Sequence, residues 1–88
     1  MASPYVHFLQ EISSIEENDY GDFMRKVNEY LIELKENKNA VRTLEIEQIV
    51  DEIQRYIQFR PNWKIPETRE RLTQNIEKLI HLEAVNSL

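Results

Sequence analysis

Apolar residues recur along this chain at steps of three and four, in four separate stretches. In the first, Tyr5, Phe8, Leu9, Ile12 and Ile15 fall on one face of a helix. Ser3 and Pro4 stand at its start. Serine can accept the free N–H groups of a first turn, and proline at the first helical position loses no hydrogen bond. The second stretch runs through Tyr20, Phe23, Met24, Val27, Leu31 and Leu34, with Tyr30 at its edge, after the turn-forming run Asn18-Asp19-Tyr20-Gly21. Asp19 is placed to cap it, with Asp22 three residues on as the acid of a capping box. It closes near Glu36-Asn37-Lys38-Asn39, where asparagine tolerates the left-handed backbone that ends helices.

The third stretch is Ile46, Ile49, Val50, Ile53 and Ile57, with Asn39 or Thr43 as its cap. Its β-branched residues would suit a strand, but their spacing follows a period of 3.6 rather than 2. Pro61 and Pro66 bracket a linker that cannot be helical throughout. The fourth stretch opens near Pro66 or Thr68 and turns Leu72, Ile76, Leu79 and Ile80 inward. Glu83 falls on its apolar face, which predicts fraying after about Leu82. No stretch alternates at period two. The pattern predicts helices over 4–17, 20–37, 42–59 and 67–82 in one domain spanning 1–88. Its fold class is all-α: four amphipathic helices in a small antiparallel bundle or a related helical array.

Composition narrows the setting. Eighty-eight residues with one glycine and 41% apolar content suit one ordered domain with a modest core. There is no cysteine, hence no disulfide and no thiolate metal site, which fits a reducing compartment. No apolar run approaches the ~20 residues that span a bilayer. Met-Ala-Ser-Pro-Tyr carries no basic leader, so the expected location is the cytoplasm.

Charge changes the picture more. Five acids, Glu11, Glu16, Glu17, Asp19 and Asp22, stand in one run without a base. Residues 1–36 hold eight acids and three bases, whereas residues 37–88 hold eight of each, so the whole net charge of −5 belongs to the first part. That balance disfavours general nucleic-acid or anionic-membrane binding. Asp19 and Asp22 at a helix N-terminus gain ~0.3–1 kcal/mol each from the dipole. Glu16 and Glu17, read as the last turn of the first helix, oppose theirs, and Glu11 adds repulsion with no nearby base. Such an acidic patch can be a solvated helix end or can face a partner.

Catalytic chemistry finds little support. His7 with Glu11, and His81 with Glu77, are i,i+4 pairs that chance supplies in a chain with 16 acids. The Glu-x-x-His pairs of di-iron bundles are missing, as is the calcium loop pattern. No serine stands on a glycine-flanked elbow, and no Gly-rich loop can cradle a phosphate. The chain is therefore not expected to be an enzyme, nor to carry a cofactor or a metal.

Once the stripes are turned inward, Val6, Ile32, Leu44, Phe59 and Trp63 remain over. Phe59 lies about 140° from the centre of the third stripe. Phe59, Trp63 and Ile65 thus crowd into the linker, where Trp63 is either a plug over the bundle end or an exposed anchor beside Arg60. Arg55, Arg60, Lys64, Arg69 and Arg71 gather around the same linker. In isolation that cluster would suit RNA contact by an accessory domain.

In composition and architecture alone, the chain resembles the small acidic helical immunity proteins of bacterial toxin systems. That resemblance implies a domain whose carboxylates imitate substrate phosphates and cover the cationic cleft of a nuclease toxin. Its expected partner is a protein with a basic surface, met by Glu11, Glu16, Glu17, Asp19 and Asp22 with Phe59, Arg60 and Trp63. The alternative is a non-catalytic adaptor or accessory subunit docking through Phe59–Ile65. Exposed Ile32 or Phe59 would also suit a homodimer.

Overall fold

The computed structural model describes residues 3–59 and 63–86, and four helices account for most of them: α1 Pro4–Ser13, α2 Tyr20–Glu36, α3 Leu44–Phe59 and α4 Ile65–Asn86. No strand occurs among the described residues. Each helix buries the stripe that its spacing predicts: Phe8 and Ile12 from α1, Phe23, Val27 and Leu31 from α2, Ile46 and Ile53 from α3, and Leu72, Ile76 and Leu79 from α4. The helices pack as neighbours around a ring. α1 lies against α2 and α4, and α3 against α4 and α2, so the fold is an all-α helical bundle. The longest extent, 40 Å, accommodates the 22 residues of α4, about 33 Å at 1.5 Å each.

Helix starts follow the expected chemistry. The Ser3 hydroxyl accepts from the Tyr5 and Val6 amides at 3.1 and 3.4 Å. The Asp19 carboxylate accepts from the Asp22 amide at 3.0 Å, and Thr43, rather than Asn39, caps α3 by accepting from the Ile46 amide at 3.2 Å. The Asp22 side chain does not complete a capping box. It lies 3.4 Å from Arg25.

Helix ends depart from expectation, and two arginines supply much of the reason. α1 stops at Ser13, not near residue 17. The Arg69 guanidinium of α4 donates to the Ile12 carbonyl at 2.5 Å and the Ile15 carbonyl at 2.9 Å. The Ile12 carbonyl is the one that the Glu16 amide would use if the helix continued. Ser14 closes the last turn by donating its hydroxyl to Gln10 at 2.7 Å, and Ile15 leaves the helix to enter the core. At the end of α2, Asn37 is extended (φ −73°, ψ 112°) rather than left-handed. There Arg42 donates to the carbonyls of Leu34 at 3.1 Å, Asn37 at 3.2 Å and Lys35. Two orphan carbonyl ends are thus satisfied by side chains instead of by a left-handed cap.

α4 starts at Ile65 and runs to Asn86, past the fraying expected at Leu82. Glu83 does not sit uncompensated on an apolar face: it is half-buried and accepts the hydroxyl proton of Ser3, the cap of α1. Ser3 meeting the end of α4, and Ile12 meeting its start, show that α1 and α4 run antiparallel.

Two buried hydroxyls are left over among the described residues, those of Tyr20 and Thr68. Thr68 is fully buried on α4, and its Oγ1 has no hydrogen-bond partner among the described residues. Thr68→Val keeps the shape and removes the unmet polar group. It is expected to stabilise the fold by about 1 kcal/mol, measured as a rise in the denaturation midpoint at unchanged slope. A loss of stability would show that the hydroxyl has a partner in solution.

Candidate functional site

The turn after α1 and the start of α4 meet at one end of the bundle, and there the structure joins two features that stand far apart in sequence. Glu16 and Glu17 from the turn, Tyr20 from the start of α2, and Trp63, Lys64 and Arg69 line one open depression of about 730 Å³. Trp63 is 75% exposed, so it is not a plug over the core. Its ring stands 6.0 Å from that of Tyr20, tilted by 48°, which sets its orientation from one side and leaves the rest of the surface free. The Tyr20 hydroxyl is buried and without a hydrogen-bond partner among the described residues.

Local chain chemistry explains why the acids face outward here. Because Arg69 ends α1 at Ser13, Glu16 and Glu17 belong to a turn, not to a last helical turn. The expectation that they strain against the helix dipole is therefore corrected. Arg69 is the cation at that dipole's negative end, held 5.1 Å from the Phe23 ring centroid as well as on the two carbonyls. Glu17 is half-buried and lies 3.5 Å from Lys26 of α2, so the acidic run is not without a base in space. Glu16 is exposed. Lys64 lies 3.7 Å from Glu67 at the opposite lip.

The remaining residues singled out by sequence disperse. Glu11 is half-buried in a separate groove between α1 and α2, 3.4 Å from His7, with Glu33 in the same groove. Burial pushes its carboxyl above the usual carboxylate range. His7 acts in the opposite sense, and Glu33 reinforces the rise. Asp19 is exposed and engaged as the cap of α2, and Asp22 is beside Arg25. Phe59, 78% exposed, lines a different depression with Arg55 and Arg71. Arg60 lies outside the described residues. Tyr20 and Arg69 are the members of the site that spacing alone assigned elsewhere, Tyr20 to the apolar stripe of α2 and Arg69 to the basic cluster.

An exposed indole beside carboxylates is suited to a cationic side chain. A guanidinium or ammonium can lie over the ring, at ~0.5–2 kcal/mol, while a carboxylate takes its protons. Among the described residues no three His, Asp or Glu side chains converge to hold a metal ion, and no helix is long and apolar enough to cross a membrane. Compared with known proteins, the chain matches no family model, no curated protein by sequence and no solved structure by fold. The chemistry of the site is therefore the ground for any reading of function.

Proposed function

We propose that this chain is a non-catalytic binding domain that engages the basic surface of a protein partner through the end of the bundle carrying Glu16, Glu17 and Trp63. The observation that supports it is the convergence of a 75% exposed indole with the exposed Glu16 and the half-buried Glu17 in one depression. Carboxylates there would steer a cationic partner and set its register, while the indole supplies buried contact area at the centre. In its most specific form the partner is a nuclease toxin. Its cationic cleft, built to hold phosphates, would accept these carboxylates, as an immunity or antitoxin-type inhibitor requires.

The partner is to be recovered from source extract on the immobilised protein and then produced separately for kinetics. Reversing both charges, Glu16→Lys with Glu17→Lys, is expected to slow association about tenfold or more at low salt, with the difference shrinking as salt rises. Association indifferent to both salt and reversal would overturn the reading.

The adaptor reading is favoured by a specific observation too, the 78% exposure of Phe59 close to Trp63 in sequence. It requires Phe59→Ser to weaken binding as much as a substitution at Trp63, with charge reversal at Glu16 and Glu17 doing little.

A further inference from the structure

A second depression lies between α3 and α4, shares no lining residue with the first, and carries a net charge of opposite sign. About 390 Å³ in volume, it is lined by Glu52, Arg55, Tyr56 and Phe59 from α3 and by Arg71 and Asn75 from α4. Two guanidinium groups from different helices thus border one cavity, and neither is in an ion pair among the described residues. Glu52 in the same lining offsets only one of the two cations, so the cavity keeps a net positive charge that an anion can meet. Phe59 lies 78% exposed at the rim, with Tyr56 half-buried beside it. Asn75 is only 3% exposed, yet it lines the cavity, reaching its wall from a buried position on α4. A carboxamide in a cavity wall can offer its donor and its acceptor to a ligand's polar edge.

These groups together describe a ligand. Paired guanidinium forks suit the oxygens of a phosphate. An exposed aromatic ring is a platform on which a planar base stacks, and a carboxamide offers one donor and one acceptor to a base edge. The cavity has the volume of a small-molecule site. We propose that this depression binds a nucleotide, with its phosphate between Arg55 and Arg71, its base over Phe59 and the base edge against Asn75. The negative field of the domain opposes a long polyanion but costs a single phosphate less. A free mononucleotide therefore fits better than a strand.

The test titrates the isotopically labelled protein with adenosine 5′-monophosphate, followed by NMR, beside orthophosphate, adenosine, an acidic peptide and a short single-stranded oligoadenylate. The monophosphate is expected to give saturable shifts centred on the Asn75 side-chain amide and the backbone of residues 55–59 and 71–75. Arg55→Gln and Arg71→Gln should each weaken binding about tenfold, and Phe59→Ser should do so by a similar factor. All three positions are exposed, so the melting temperature should not move. Oligoadenylate is expected to bind no more tightly than the monophosphate, and tighter binding would overturn the assignment to a free nucleotide. The proposal is also overturned if no saturable shift appears below about 5 mM, if the arginine variants bind unchanged, or if orthophosphate or the acidic peptide binds as tightly as the monophosphate.

Discussion

Replacing Arg69 with alanine is expected to be among the most damaging single changes to the bundle, lowering stability by about 2–4 kcal/mol. The guanidinium donates to two carbonyls at the end of α1 and lies over the Phe23 ring. A hydrogen bond involving a charged partner contributes ~1.5–3 kcal/mol, and a carbonyl left unmet in a partly buried setting adds a desolvation cost. Such terms are not additive, hence the range. Against a total of ~5–15 kcal/mol it is a large fraction. For a domain of this size it corresponds to a fall in melting temperature of roughly 10–25 °C. Arg69→Lys should recover only part, because one ammonium cannot bridge both carbonyls in the fixed fork that Arg provides. A melting temperature for Arg69→Ala within about 3 °C of the parent would show that these bonds contribute little.

The second large effect concerns binding and leaves the fold alone. Trp63→Ala is expected to weaken the partner complex about 30-fold, or ~2 kcal/mol, the usual size for an aromatic anchor at the centre of an interface. Because the indole is 75% exposed, the same change should alter stability by less than ~0.5 kcal/mol. Trp63→Phe should retain much of the affinity, since a cation still finds an aromatic face, though a weaker one. Comparison by calorimetry separates the outcomes: a dissociation constant within about twofold of the parent would place the interface elsewhere. Together with reversal at Glu16 and Glu17, this variant distinguishes contact area from steering, which act mainly on dissociation and on association respectively.

The stripes of all four helices were legible in the sequence because periodicity is a local property. Phe8, Phe23, Ile53 and Ile76 are buried as their spacing predicts. Helix ends were less legible, since Arg69 and Arg42 end α1 and α2 from 57 and 8 residues away, beyond any local signal. One clue did exist. Arg69, Leu72, Ile76 and Leu79 share the three-and-four spacing of a single face, so a cation stood on the inner stripe of α4 and required carbonyl or carboxylate partners. The acidic run misled for the opposite reason. Five consecutive acids on the page take three different directions in space, because Glu11 is on α1, Asp19 and Asp22 belong to the start of α2, and only Glu16 and Glu17 remain in the turn. Their meeting with Trp63, some 46 residues later, depends on the antiparallel closure of α4 on α1, a tertiary fact that no spacing contains.

That closure also bears on how the chain folds as it is made. α1 packs more extensively on α4 than on its sequence neighbour α2. The roughly 66 residues from Ser13 to Leu79 take about 3–13 s to be added at ordinary rates of synthesis. Throughout that interval α1 lacks the α4 surface on which it packs most extensively, and the Ile12 and Ile15 carbonyls wait for their arginine. On the ribosome, the domain's earliest helix is therefore among the last to reach its final surroundings.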